Sequence, residues 1–384
     1  MITSETKADL EKQKYRIVGS HSAVKTCGWV RNMINGKGGC YKLKFYGIMS
    51  NQCLQMTTSL SCANRCTFCW RGYKAPVSKD WQWGIDDPGK IIKESIEAHH
   101  KLLIGFKGSA LAQKEVYEQS TEIKHVALSL TGEPIIYPKI NELIDQLHAK
   151  GISTFLVTNA QYAEQIRSLR PIAQLYLSID APTKELLKEI DQPLFPDYWA
   201  RMNDSLDALK EKKGRTCIRL TLIKDVNDVY PEKYAELIQK GSPDFIEVKA
   251  YMFLGASMEN LRKENMPIHE EVVKFSKELK KCLEDYEIVS EHIPSRVVML
   301  AKKKWKIGGV WNTWIDFKKF NGLIKSGEEL SCEKYCRETP EIGLSGKGTL
   351  DSMPAERRAR YEEMLGRDFF VDENTEEIEF YQGE

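Results

Sequence analysis

From about residue 54 to residue 252, short β-rich runs alternate with helical patterns. That alternation leaves a chain few options other than a parallel sheet flanked by helices. The spacing predicts strands at 54–58, 126–129, 154–158, 175–179, 218–223 and 245–252. Helix limits are readable between them. Asp86, Asp87 and Pro88 open one helix, and Ile140, Leu143, Ile144 and Leu147 form an i, i+3, i+4, i+7 stripe closed by Gly151. Residues 231–240 read as another helix, stopped by Gly241, and Val272, Phe275, Leu279 and Leu283 mark a further one. Six βα units predict an α/β fold, an incomplete (β/α)6 barrel of the TIM-like kind, in which chemistry gathers at the C-terminal ends of the strands.

Two regions lie outside this rhythm. Residues 1–53 are Gly-rich and Cys-bearing with little periodicity, and the chain beyond about 290 is rich in Trp, Lys and Gly. The expected organisation is an N-terminal segment at 1–53, the barrel at 54–290, a basic and aromatic extension at 291–344 and a polar, flexible tail at 345–384. Lys and Arg total 56 against 55 Asp and Glu, so a nucleic-acid site must come from locally clustered charge. No stretch approaches the roughly 20 apolar residues that span a bilayer, and residues 1–14 lack a signal-peptide core. A cytoplasmic, monomeric protein without membrane association is expected. Ten cysteines in a reducing compartment ask for a metal or redox explanation.

Cys62, Cys66 and Cys69 form a Cx3Cx2C run directly after the first expected strand. A 4Fe-4S cluster normally takes four thiolates, so a three-cysteine loop leaves one iron open to a substrate or cofactor. Structural zinc prefers four closed ligands, frequently as two CxxC pairs, and no second pair or suitably spaced histidine accompanies the loop. Ser61-Cys62-Ala63-Asn64-Arg65-Cys66-Thr67-Phe68-Cys69 resembles the CxxxCxΦC motif of the radical S-adenosylmethionine superfamily. That resemblance implies a cluster whose free iron chelates the cofactor's methionine, with Phe68 against adenine. Gly132-Glu133-Pro134 resembles the turn that receives the methionine ammonium in that superfamily, although Thr131 stands where a first glycine is frequent. Asn159, Ser178, Asp180 and Arg219 match polar positions that hold ribose and carboxylate. Taken singly, each also fits ordinary turn or capping chemistry.

Cys27, Cys40 and Cys53 are each separated from the next by twelve residues, a spacing of no common zinc module. On spacing alone they are either ligands of a second cluster at the same barrel mouth or unrelated thiols in a loop-rich segment. Together with Cys69-Trp70-Arg71-Gly72, residues 83–88 (WGIDDP) and 247–252 (EVKAYM), the Cx12Cx12C run is similar to the tRNA 4-demethylwyosine synthase family. The likeness extends from Cys27 to Pro340 and is to the archaeal form, which lacks a preceding flavodoxin domain.

The family resemblance implies two 4Fe-4S clusters, S-adenosylmethionine, and pyruvate as a two-carbon donor to N1-methylguanosine at position 37 of phenylalanine tRNA. An external one-electron donor of the flavodoxin or ferredoxin type is then expected. Lys42 is a candidate Schiff-base or proton-transfer lysine, against a surface lysine or direct chelation of pyruvate by iron. Lys303, Lys304 and Lys306 interleave with Trp305, Trp311 and Trp314, which suggests an RNA grip of amines and stacking faces. The competing reading is a solvated face over a tryptophan-containing core. A flipped base is expected near Lys249, Trp70 and Arg71. Cys332 and Cys336 read as free thiols, while Cys217 and Cys282 read as core. Other radical enzymes and a zinc-stapled RNA-binding protein remain the alternatives.

Overall fold

The computed structural model describes residues 3–71 and 75–344, so the expected tail at 345–384 and Gly72 of the cysteine-loop motif lie outside the described residues. The six expected strands are present as β3 (Cys53–Thr57), β4 (His125–Leu128), β5 (Ser153–Thr158), β6 (Gln174–Ser178), β7 (Thr216–Leu222) and β8 (Phe245–Ala250). They pair in parallel and in chain order. β4 is buried at all four positions, as expected of a strand covered on both faces.

Helix limits follow the local chemistry. Asp87 caps helix Pro88–Leu103 by accepting from Lys90 N at 3.1 Å, with proline in its first turn. Helix Ile140–Ala149 is followed by Gly151 at φ +74°. Helices Pro231–Gly241 and His269–Lys281 stand at the positions the periodicity marks.

The sheet does not stop at six strands. β1 (Arg16–Val18) and β2 (Ser22–Val24) add an antiparallel pair beside β3. β10 (Val297–Lys302) and β9 (Tyr286–His292) add another beside β8, giving the order β1-β2-β3-β4-β5-β6-β7-β8-β10-β9. The expected divisions at 53/54 and 290/291 therefore fall inside β3 and β9 of one continuous sheet. Strands of three residues carry too little alternation to be read from sequence.

Six parallel strands leave the barrel open between β3 and β8, and the N-terminal segment enters that gap. Helix Tyr41–Tyr46 ends at Gly47, whose φ of +75° satisfies the left-handed cap. Its Phe45 and Tyr46 are fully buried, and Tyr46 meets the Phe245 ring edge-on at 5.5 Å. Thr313 Oγ1 donates to Phe45 O at 2.7 Å and Trp314 Nε1 to Lys44 O at 2.9 Å. Trp29, on the preceding helix Gly28–Ile34, meets the His292 ring of β9 at 5.2 Å.

A second apolar cluster closes the barrel at the strand N-terminal ends. Trp305 is 1% exposed, stacks on Phe245 at 6.3 Å and donates from Nε1 to Asp244 Oδ1 at 3.2 Å. Trp305→Ala removes a large packed ring and leaves Asp244 one donor short. It is expected to cost about 3–5 kcal/mol of stability, read as a shifted denaturant midpoint.

Candidate active site

The cysteine loop follows β3 and is held by backbone bonds to the far side of the barrel. Arg65 N donates to Asp191 O, Thr67 N to Ile190 O and Leu194 N to Ala63 O, each within 2.9 Å. Arg71 was expected to face RNA; the structure corrects this. It is 8% exposed, and its guanidinium donates to Leu60 O, Pro76 O and Asn64 O at 2.9–3.2 Å. Those bonds occupy the fork in bracing the loop, and the arginine's charge acts inward to favour the Cys62 thiolate. A small, open cleft lies against the loop, lined by Arg65, Cys66, Cys69, Arg71 and Asn260 among others.

The Cys69 charge acts on both Cys62 and Cys66, and that of Cys62 on Cys66, so the three thiols form one set. Burial pushes Cys62 up to about 11, and raises Cys66 well above the usual thiol range with help from the Asp191 charge. Sequence reasoning missed Asp191, which ends helix Lys184–Asp191, is 4% exposed and accepts from Asn64 Nδ2 at 3.2 Å. No motif marks it.

The Gly132–Glu133 turn sits directly on this loop. Gly132 has φ +68°, and a Cβ there would overlap Ser59 O, so only glycine allows the approach. Glu133 N donates to Ser61 O at 2.7 Å, while Glu133 Oε2 accepts from Asn159 N at 2.9 Å. Asn159 Nδ2 in turn reaches Cys62 Sγ at 3.4 Å. Glu133 is 1% exposed; burial pushes its carboxyl up to about 7, and Oε1 has no protein partner.

A row of charged groups continues into the lumen. Asp180 Oδ1 accepts from Thr221 N at 3.3 Å; burial pushes the carboxyl up to about 6, opposed by the Thr221 bond and the Arg219 charge. Ser178 and Arg219 are register partners on β6 and β7, and Arg219 Nε is buried without a protein partner. Glu247, fully buried on β8, accepts from Tyr46 OH at 2.9 Å through Oε1, leaving Oε2 unpartnered. Phe68 packs against the main core from the cysteine loop.

Cys27, Cys40 and Cys53 form the second set. Cys27 and Cys40 are N-caps of helices Gly28–Ile34 and Tyr41–Tyr46, and Cys53 opens β3. Burial pushes Cys27 up to about 11 and Cys53 up to about 12, with the neighbouring thiols adding to the rise and Lys42 opposing it. Cys53 opens β3 and Cys62 follows its C-terminal end, so these two thiols stand at opposite ends of that strand. Lys42 Nζ lies over the Tyr176 ring at 4.8 Å, and the lysine's charge acts on Glu247. Tyr176 OH is buried without a partner. Lys249 Nζ donates to Ser295 O at 3.1 Å; desolvation first, then the Arg219 charge, push it down to about 8.

Among the described residues no group of three or more His, Cys, Asp or Glu is gathered tightly enough for a single metal ion. A four-iron cube is wider than one ion, and thiol donors are its ordinary ligands. Three thiols per set, beside unpartnered Glu133 Oε1 in one case and Lys42 in the other, fit such groups.

The basic segment is the main correction. Trp305, Trp311 and Trp314 are all buried, so none offers a face to a base. Lys304 pairs with Asp244 at 3.0 Å and Glu333 at 3.4 Å, and Lys306 with Glu287 at 3.3 Å. Lys303 is exposed. The register Ala301↔Phe245 places the segment at the strand N-terminal ends, away from the Cys62 loop. Trp70 is half-buried, 6.4 Å from the Tyr15 ring, with Lys25 Nζ 5.1 Å from its centroid.

Comparison with known proteins agrees with this arrangement. A sequence profile of the Radical SAM superfamily matches residues 56–238, and one for wyosine base formation matches residues 240–302. An S-adenosyl-L-methionine-dependent tRNA 4-demethylwyosine synthase, TYW1, of Mus musculus is 48% identical over 353 residues, 90% of this chain and 49% of that protein. An Arabidopsis thaliana synthase is 47% identical over 349 residues, 90% of this chain and 54% of its own. The crystal structure of archaeal TYW1 superposes with a TM-score of 0.66 at 34% identity, covering 80% of this chain and 99% of that one.

The chain belongs to the tRNA 4-demethylwyosine synthase family.

A structure of TYW1 with a lysine-pyruvate adduct bound gives a TM-score of 0.72 at 37% identity, covering 79% of this chain and 97% of that one. The chain spans about half the length of the curated synthases it matches. Within the radical SAM fold that this family shares, the Gly132 turn packs directly on the Ser59–Ser61 backbone. Gly132→Ala must push the Ser59–Ser61 backbone aside. It is expected to lower the melting temperature and the iron content of the reconstituted protein, as measured by thermal unfolding and iron analysis.

Proposed function

We propose that this protein is a radical S-adenosylmethionine lyase that converts N1-methylguanosine at position 37 of phenylalanine tRNA to 4-demethylwyosine, with pyruvate as two-carbon donor. What carries the reading is Lys42, set beside a second three-thiol group and facing the lumen at Tyr176, in a family whose relative holds a lysine-pyruvate adduct.

Cys62, Cys66 and Cys69 would hold one 4Fe-4S cluster, and Cys27, Cys40 and Cys53 a second. When bound, the first cluster and S-adenosylmethionine supply the radical that takes a hydrogen atom from the guanosine N-methyl group. Glu133 receives the cofactor's ammonium through its unpartnered Oε1. Asn159, Ser178, Asp180 and Arg219 line the path for ribose and carboxylate, with Phe68 against adenine.

Lys42 Nζ attacks the pyruvate keto carbon and water leaves, forming an imine. Glu247 and the Tyr176 hydroxyl stand where protons are exchanged, and Lys249 is a neighbouring amine able to meet the pyruvate carboxylate. Trp70 marks the side from which the anticodon loop enters. An external one-electron donor, action as a monomer and a cytoplasmic setting complete the proposal; among the described residues no helix is long and apolar enough to cross a membrane.

Anaerobic reconstitution is expected to give about eight irons per chain. Borohydride reduction in the presence of pyruvate is expected to trap the keto acid on the peptide carrying Lys42, and Lys42→Arg to abolish tricyclic nucleoside formation while S-adenosylmethionine cleavage persists. Trapping on Lys249 instead would overturn the assignment. The Glu133 carboxyl also sets a pH dependence. Only its ionised form receives an ammonium, and its proton is held up to about pH 7. S-adenosylmethionine affinity is thus expected to be level above pH 7 and to fall about tenfold per unit below it. Glu133→Gln should bind about tenfold or more weakly and lose that pH dependence.

A further inference from the structure

Arg215 is a fully buried guanidinium with no carboxylate partner among the described residues. Its Nε donates to Gln174 Oε1 at 3.1 Å and its Nη2 to Thr313 O at 2.7 Å, both neutral acceptors. The remaining Nη1 donates to Cys336 Sγ at 2.7 Å. A buried cation is costly unless an anion accompanies it, and here the sulfur is the group in hydrogen-bond contact that can become one. Cys332 Sγ lies 3.3 Å from Cys336 Sγ.

The two thiols are unequal. Cys332 is 2% exposed in helix Cys332–Tyr335, whereas Cys336 is half-buried just beyond its end. Burial acts to raise the Cys336 pKa but is outweighed by the Cys332 hydrogen bond and the Arg215 charge, so it is lowered; Cys332 is raised well above the usual range by burial. Cys336 is therefore the thiol that gives up its proton more readily, with an N–H of Arg215 at 2.7 Å and the Cys332 sulfur at 3.3 Å to stabilise the anion, and Cys332 is the proton-bearing neighbour.

We propose that Cys336 and Cys332 form a thiol–disulfide exchange site that reacts with low-molecular-weight disulfides such as glutathione disulfide. The Cys336 thiolate attacks one glutathione sulfur and expels a glutathione thiolate. The Cys332 thiol gives its proton to a departing thiolate and attacks the Cys336 sulfur, expelling the second glutathione. Two protein thiols are oxidised to one disulfide, and glutathione disulfide is reduced to two glutathiones. Closing the bond takes the thiolate away from Arg215, so the oxidised form leaves the guanidinium with neutral acceptors alone.

The test uses reconstituted holoenzyme held anaerobically in buffers of varied glutathione disulfide to glutathione ratio, followed by alkylation and mass spectrometry of the peptide carrying both cysteines. The peptide is expected to pass from doubly alkylated to an internal disulfide as the ratio rises. Cys282, whose thiol bonds Glu278 O, is the internal reference and stays alkylated throughout. In Cys332→Ser the exchange should stall, so that a glutathione adduct accumulates on Cys336. Cys336→Ser should form neither product. Double alkylation at every ratio, or a Cys332→Ser protein free of adduct, overturns the proposal.

Discussion

The six parallel strands do not meet edge to edge, because β2 pairs with β3 and β10 with β8, and the arrangement of the site depends on how the opening left between β3 and β8 is occupied. Residues 28–46 occupy it with two short helices whose N-caps are Cys27 and Cys40. Filling the gap with apolar side chains such as Phe45 and Tyr46 also carries Lys42 inside, over Tyr176 on the far wall. One packing event thus positions a thiol group, an amine and the Tyr46 hydroxyl that holds Glu247.

The lumen that results is polar and shielded from water. Glu133, Asp180 and Glu247 all have raised pKa values because burial disfavours their charge, and Glu133 Oε1 and Glu247 Oε2 lack partners in the protein. The thiols are raised for the same reason. Cationic groups entering such a space meet donors and carboxylates that the protein alone leaves unbalanced, so binding and stabilisation go together.

Strand positions were legible because parallel, doubly covered strands are written as unbroken apolar runs, and β3 to β8 stand within two residues of the expected limits. The Cys62, Cys66 and Cys69 set was legible from spacing, whereas spacing alone left Cys27, Cys40 and Cys53 undecided. The fate of Trp305 was not: a lysine-flanked tryptophan reads the same whether its ring faces solvent or, as here, lies on Phe245 with Asp244 taking its N–H. Arg71 misled in the same way, since a charge beside a cysteine loop does not reveal that three carbonyls from Leu60, Asn64 and Pro76 await it. Asp191 escaped because its relation to Cys66 exists only across the barrel.

The helix that bears Lys42 rests on elements made much later by the ribosome. Its backbone oxygens at Lys44 and Phe45 accept from Trp314 and Thr313, and its Tyr46 packs on Phe245. Translation therefore releases Cys27, Cys40 and Cys53 long before the residues that fix them exist. Their thiols stay unguarded through most of synthesis, and that set takes its final geometry only after the C-terminal third has been made.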